Sequence, residues 1–143
     1  MLNRFKNRFK NLNQKLLVSV SGGLDSMVLC DLLLKSDLDF SIAHVNYKLR
    51  KKESDFDENF VKNYANQKQI NFYSISHDLS TYNKSIQAKA REIRYEFLYK
   101  LTDENKFDYI LTGHHLDDNI ETIFLNLIRG KKNNSFLRSE EHT

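Results

Sequence analysis

The stretch from Leu16 to Leu34, LLVSVSGGLDSMVLCDLLL, constrains the fold more than any other part of the chain. Leu16 to Val20 is an apolar run with β-branched residues and predicts a buried strand. Ser21, Gly22 and Gly23 then turn the backbone, and Asp25 and Ser26 stand where helix-capping residues belong. From Met27 the spacing is helical, with Met27, Val28, Leu32 and Leu34 forming a broad apolar side. A strand, a glycine turn and a helix N-terminus together make an anion site. The amides point outward, the helix dipole favours negative charge, and glycine lets a phosphate approach the backbone. Two adjacent glycines alone would describe an ordinary strand-to-helix turn. The full string Ser21-Gly22-Gly23-Leu24-Asp25-Ser26, seated between strand and helix, favours the anion site.

A Walker-type loop has a lysine after its last glycine, reaching the outer phosphates. Here Leu24 and Asp25 follow Gly23. A carboxylate beside a phosphate is reasonable when a divalent cation lies between them. The string therefore points to ATP with a metal, and to chemistry other than γ-phosphate transfer. It resembles the SGGxDS loop of the PP-loop ATP pyrophosphatases. That resemblance implies adenylation of a substrate by ATP with release of pyrophosphate.

The length, 143 residues, suits one domain. A hydrophobic content of 40% suits a globular protein, and the net charge of +3 neither demands nor excludes nucleic acid. Cys30 is the only cysteine, which rules out an internal disulfide or cysteine cluster and predicts a small core residue. No apolar run approaches transmembrane length and no secretory signal is visible, so a cytoplasmic protein with no membrane partner is expected.

Met1 to Asn13 places Leu2, Phe5, Phe9 and Leu12 at helical spacing among Arg4, Lys6, Arg8 and Lys10. This is an amphipathic helix packing on the domain or a basic flank that meets an RNA backbone. Phe40 to Val45 predicts the second strand, with His44, Asn46 and Tyr47 at its carboxyl end. Lys48 to Lys52 is a basic loop, either a solvated face or a phosphate contact. Ser54 to Gln69 predicts a helix with Phe56, Phe60, Tyr64 and Ala65 on one side and Asp55, Asp57 and Glu58 in its first turn. Phe72 to Ser76 predicts a third strand. Ser85 to Glu104 predicts a long helix with Ile86, Ala90, Ile93, Phe97 and Leu101 along one face, and Arg91 and Arg94 three apart on its flank. Phe107 to Thr112 predicts the fourth strand, and Leu116 to Arg129 the last helix. Strands and helices alternate four times, which predicts a Rossmann-like α/β domain: a mainly parallel sheet with helices on both faces. Ligands in such sheets sit at the carboxyl ends of strands, where the strand order reverses.

A second motif, Gly113-His114-His115-Leu116-Asp117-Asp118-Asn119-Ile120-Glu121-Thr122, begins at the end of the fourth strand. Asp118, Glu121 and Thr122 share a helix face. Taken singly, these residues read as helix-start and loop residues. Taken together, beside the expected crevice, they read as a metal and acid–base cluster. Neither HExxH nor a zinc-deaminase signature is present, and oxygen ligands with a nucleotide phosphate favour Mg2+.

SGGLDS, HVNYKLR at His44 to Arg50, AKAREIRYEFL at Ala88 to Leu98 and GHHLDDNIETIFLNLIRG at Gly113 to Gly130 occur in that order. Together they resemble the N-terminal catalytic domain of the tRNA(Ile)-lysidine synthetases, from about Lys15 to Gly130. The resemblance implies an adenine nucleotide alpha hydrolase-like fold with strand order 3-2-1-4, which places Ser21 and Gly113 on one crevice. It also implies a two-step reaction. ATP adenylates the C2 oxygen of the wobble cytidine in an isoleucine tRNA with a CAU anticodon, and pyrophosphate leaves. Free L-lysine then attacks C2 and expels AMP, giving lysidine. Ser21, Gly22, Gly23, Leu24 and Ser26 are expected at the phosphates and His44 near the adenine. Asp25 is expected to orient Mg2+ and the α-phosphate. Arg91 is the expected catalytic arginine, with Arg94 kept open for the same role and as an ATP contact. His114 and Asp118 match the family's catalytic histidine and aspartate. Other PP-loop tRNA-modifying enzymes and a nucleotide-binding module without activity are the competing readings. Oligomeric state is not set by the sequence, and a homodimer stays open.

Two departures stand out. Tyr47 replaces a second histidine found in many relatives, and Lys131 to Thr143 stands where the family continues with a glycine-rich loop and tRNA-gripping domains. Arg138 to Thr143 coincides with a conceptual translation of a common sequencing adapter, so residues 131–143 are expected to be an irregular, non-native tail. Residues 14–130 are the expected catalytic domain and 1–13 its basic flank. A chain ending in this way is expected to bind ATP, to hold tRNA weakly and to lack turnover.

Overall fold

The computed structural model describes residues 14–112 together with positions 3, 128 and 129. Strand β1 (Leu16–Ser19) lies at the middle of its sheet, and its composition explains why. Leu16, Leu17 and Val18 are all fully buried. An unbroken apolar run is stable as a strand only when both sheet faces are covered. The other strands are β2 (Phe40–Asn46), β3 (Phe72–Ser76), β4 (Tyr109–Thr112) and β5 (Ile128–Arg129). The sheet order is β3-β2-β1-β4-β5. β1 pairs in parallel with β2 and β4, so that Leu16 lies opposite both Phe40 and Tyr109. β3 joins β2 in parallel as well. The expected parallel sheet and 3-2-1-4 order are therefore present.

The expected last helix differs at its end. Ile128 and Arg129 pair antiparallel with Ile110 and Tyr109. Without them the β4 edge would present a row of unpaired backbone groups, and β-branched Ile128 suits a strand. Residues 116–127 of that expected helix lie outside the described residues. So does the expected N-terminal helix, apart from Asn3, which is helical and exposed.

Among the described residues, three helices cover the sheet: α1 (Leu24–Lys35), α2 (Lys52–Gln67) and α3 (Ile86–Asn105). The sequence β1–β2–β3 moves across the sheet in one direction. Right-handed crossovers then put α1 and α2 on the same face. Leu29, Leu33, Val61 and Ala65 of these helices pack with Leu16, Val18, Ile42 and Leu111. The chain returns from β3 to β4 on the far side of β1, which puts α3 on the opposite face. There Tyr95, Leu98 and Leu101 meet Leu17, Ala43 and Ile110. Alternate residues of β1 thus serve opposite cores, as the two-residue strand period requires.

The apolar side expected for α2 is rotated. Phe56 and Phe60 are 69% and 47% exposed, whereas Val61 and Ala65 are buried. The inward row is Asp57, Val61 and Ala65, one turn apart each, and Asp57 and Val61 press against Gly22. On α3, Ile93, Phe97 and Leu101 are buried as expected, while Ile86 and Ala90 are only half-buried. α3 runs back against the strand direction, so its first turns lie beside the open carboxyl ends of the strands. No helix among the described residues is long and apolar enough to cross a membrane.

Leu33 is fully buried at the centre of the α1–α2 core. Leu33→Ala should lower unfolding stability by about 2–5 kcal/mol in urea titrations. Burial, and secondarily the charge of Asp31, pushes the Cys30 thiol up to about 12. Iodoacetamide at about pH 8 should leave the native thiol unmodified and label it once the chain is unfolded.

Candidate active site

Val20 extends the β1 pairing by one residue, its amide donating to the Ala43 carbonyl at 2.9 Å. The chain then turns sharply. Gly22 has φ +95°, a left-handed conformation that L side chains rarely adopt. A Cβ there would lie 3.4 Å from both Asp57 Cβ and Val61 Cγ2, so conformation more than space calls for glycine. Gly23 is the N-cap of α1, with extended backbone and no side-chain cap. Asp25 and Ser26, expected as capping residues, lie instead in the first helical turn. Ser26 bonds backward: its hydroxyl donates to the Gly23 carbonyl at 3.0 Å and accepts the Gly22 amide at 3.2 Å. The Gly23 amide donates to Ser21 Oγ at 3.2 Å, and the two serine oxygens are 3.4 Å apart.

This loop is a knot of hydroxyls and amides bonded at the long end of the usual range. The helix ladder begins with the Met27 amide on the Gly23 carbonyl at 3.1 Å. The amides of Leu24, Asp25 and Ser26 therefore stand outside it. Phosphate oxygens make shorter, charge-assisted bonds with such groups, and the helix dipole adds to the attraction.

The loop opens on a cavity of about 340 Å3 over the carboxyl ends of β1, β2 and β4. Its walls carry Ser21 and Ser26 from the loop, His44, Asn46 and Tyr47 from the end of β2, and Thr112 from β4. Arg50 and Asp57 enter from the α2 side and Arg94 from α3. His44 is 3% exposed, and its Nδ1 lies 2.7 Å from the Val20 carbonyl. A carbonyl only accepts, so Nδ1 carries the hydrogen, and the second strand holds the residue just before the loop.

The wall on the α2 side is an ionic lattice. Buried Asn46 donates to Asp55 Oδ1 and Glu58 Oε1, both at 2.9 Å, and accepts the Lys48 amide at 2.9 Å. The Lys48 ammonium reaches Asp55 at 2.6 Å. That hydrogen bond, with help from Asn46, holds the Asp55 carboxyl below its ordinary value. Arg50 pairs with Asp57 at 2.8 Å and Glu53 at 3.3 Å.

The opposite wall is built around Tyr47. Its hydroxyl donates to the Ala90 carbonyl of α3 at 3.0 Å and is hydrogen-bonded with Arg94. Burial raises the phenol's pKa and the nearby Arg94 opposes that shift, so the phenol stays protonated at neutral pH. The guanidinium carbons of Arg94 and Arg91 lie 5.2 Å and 5.6 Å from the Tyr95 ring centre, within cation–π range. Among the described residues, buried Arg94 Nε and Thr112 Oγ1 lack a hydrogen-bond partner, and Thr112 and Arg94 both line the cavity.

The structure thus gathers Ser21, Ser26, His44 and Arg94 around one cavity. Gly22, Gly23 and Asp25 form the adjoining turn, with Asp25 half-buried. Leu24 is 76% exposed, which leaves its backbone as its contribution. Arg91 lies one turn before Arg94, half-buried and outside the cavity lining. His114 and Asp118, with Asp117 and Glu121, lie outside the described residues. No group of three or more metal-ligating side chains occurs among the described residues. Sequence reasoning missed Asn46 as a wall-builder, Asp57 as a neighbour of the loop and Thr112 as lining. Asp57 reads from the sequence as a helix-dipole residue only. Arg50 belonged to a basic cluster for which a phosphate contact was one of two readings.

Over residues 1–141 the chain matches the family described as the PP-loop domain. It is 37% identical over 126 residues to the tRNA(Ile)-lysidine synthase of Streptococcus thermophilus strain CNRZ 1066, an alignment that covers 85% of this chain and 29% of that protein. It is 42% identical over 122 residues to the tRNA(Ile)-lysidine synthase of Chlorobaculum tepidum, covering 80% of this chain and 37% of that protein. The chain therefore spans roughly a third of the length of these relatives. Among solved structures, the NH3-dependent NAD synthetase of Campylobacter jejuni superposes with a TM-score of 0.58 at 12% identity, over 82% of this chain and 55% of that one. The NMN synthetase of Francisella tularensis gives 0.55 at 16% identity, over 76% and 49%. At such identities the likeness concerns the fold, which is the adenine nucleotide alpha hydrolase fold. The turn at Ser21 to Ser26, the reversal of strand order beside it and the match along nearly the whole chain agree: this chain belongs to the PP-loop domain family, whose members use ATP.

Proposed function

We propose that the chain is the nucleotide-handling part of a tRNA(Ile)-lysidine synthetase. Such an enzyme ligates lysine to C2 of the wobble cytidine through an adenylated tRNA. The observation that carries this reading is the serine–glycine turn opening on a cavity that also holds Arg94 and buried His44. The names of the relatives supply the substrate class.

The cavity suits an adenine nucleotide in size and in chemistry. Ser21, Gly22, Gly23 and Ser26 give up their mutual bonds to hold phosphate oxygens. Arg94 reaches the α-phosphate from α3, where its guanidinium stabilises charge developing as pyrophosphate departs. Arg91, one turn away, is the other candidate for that role. Backbone and His44 at the end of β2 face the base. Mg2+ binds through one or two carboxylates plus substrate phosphates, and Asp25 in the first turn of α1 is a fitting carboxylate. Bound there, Mg2+ would draw charge from the phosphates. His114 and Asp118 are proposed to act at the cytidine and the lysine amine, with Asp118 binding the ammonium or taking its proton. Isoleucine tRNA and free L-lysine are the proposed co-substrates, and the cytoplasm the proposed site of action.

A longer version of the gene product should release AMP from ATP only when isoleucine tRNA and lysine are both supplied, as radiolabelled nucleotide assays would show. Pyrophosphate release with another tRNA, or AMP release with another amine, would reject the lysidine reading. Tyr47→Phe removes the hydroxyl that ties the end of β2 to α3 beside Arg94, while keeping the ring. It should weaken ATP binding about threefold to tenfold in calorimetry, with the unfolding midpoint little changed.

A further inference from the structure

We propose that Arg50 is a phosphate ligand of this site, parked on Asp57 and transferred to the outer phosphates when a nucleoside triphosphate binds. The inference rests on the nucleotide reading of the cavity and adds a residue to it. Three observations place Arg50 there. First, it lines the cavity together with Ser21, Ser26 and Asp57. Second, its Nη2 donates to Asp57 Oδ2 at 2.8 Å, while the Asp57 Cβ lies 3.4 Å from where a Gly22 Cβ would be. The guanidinium is therefore one residue's width from the left-handed glycine of the turn. Third, the backbone beneath it is anchored: the Arg50 amide donates to Ser54 Oγ at 3.0 Å, and its carbonyl accepts the Glu53 amide at 3.0 Å. The side chain can swing while its base stays fixed.

Electrostatics supplies the reason. An uncompensated Asp57 carboxylate beside the turn would repel a triphosphate. Arg50 cancels it in the free protein. The pair is solvent-facing, with side-chain exposures of 64% for Arg50 and 32% for Asp57, and the second partner, Glu53, is 71% exposed. Exposed ion pairs hold weakly. A fork of N–H bonds to a multiply charged phosphate is stronger, so the ligand outcompetes the carboxylates for the guanidinium. Arg94 approaches from α3, on the opposite face of the sheet. Two guanidinia would then grip the phosphate chain from both sides of β1, Arg94 at the α-phosphate and Arg50 at the part that leaves as pyrophosphate.

Calorimetry of the 143-residue chain with ATP, AMP and inorganic pyrophosphate, each with Mg2+, tests this. Arg50→Ala should weaken ATP and pyrophosphate about tenfold and leave AMP within about twofold. Arg50→Lys should fall between, because it keeps the charge and loses the fork. Asp57→Asn in the Arg50→Ala background should not restore ATP affinity. Restoration to the unsubstituted value would overturn the proposal, since Arg50 would then serve only to neutralise Asp57. Unchanged ATP binding in Arg50→Ala, or an equal loss for AMP, would overturn it too. Either result would leave the function reading intact if the unsubstituted chain binds ATP. Failure of the unsubstituted chain to bind ATP or pyrophosphate would defeat both.

Discussion

A strand that exposes no apolar side chain to water can sit only at the centre of a covered sheet, and β1 is that strand. Its position decides most of the architecture. Parallel neighbours on both sides require crossovers, and right-handed crossovers require helices on both faces. The order reverses where β2 lies to one side of β1 and β4 to the other, so the carboxyl ends splay around the turn at Ser21 to Gly23. The cavity is a consequence of that splay. It was not carved separately by the loops that decorate it.

Holding the turn in place falls to a few polar contacts at the end of β2. His44 fastens the Val20 carbonyl, and Asn46 gathers Asp55, Glu58 and the Lys48 amide. His44 and Asn46 are almost fully buried, where an unmet polar group is costly, so their bonds are specific as well as stabilising. Lys48 and Lys51, two non-glycine residues with positive φ, bracket the segment between β2 and α2. Lys48 is held in that conformation by its amide on Asn46 Oδ1 and its ammonium on Asp55. The result presents Arg50 and Asp57 to the cavity from one face of the sheet, while Tyr47 reaches across to α3 and steadies Arg94 from the other. Residues from both cores thus converge on one small volume.

The charge pattern fits a polyanion that is bound and then partly released. Hydroxyls and guanidinia line the cavity, yet the Asp57 carboxylate lines it too and Asp25 stands in the adjoining turn. On the proposed reading, anions so placed would keep the site from holding phosphate too firmly. They also give cations, whether a guanidinium or a metal ion, a place between protein and ligand.

Alternation of strand and helix, the apolar stretch before Ser21 and the glycine turn were legible in the chain itself, because local periodicity and backbone freedom are local properties. The loop motif, His44 and the pair of arginines on α3 were legible as chemistry, though not as a single cavity. Tertiary structure decided what periodicity leaves ambiguous. The pattern of Phe56, Phe60, Tyr64 and Ala65 on α2 suggested one inward face; packing against Gly22 chose the row through Asp57 and Val61, rotating the helix and leaving the two phenylalanines outside. Ile128 and Arg129 read as the end of a helix until an open β4 edge was there to pair with them. Arg91 and Arg94 lie three positions apart, and the resemblance favoured Arg91 with Arg94 kept open; the docking of α3 on the sheet put Arg94 into the cavity wall. Spacing along a chain sets which side chains share a face. Which face turns inward depends on the surface it meets, and that surface exists only once the sheet has formed.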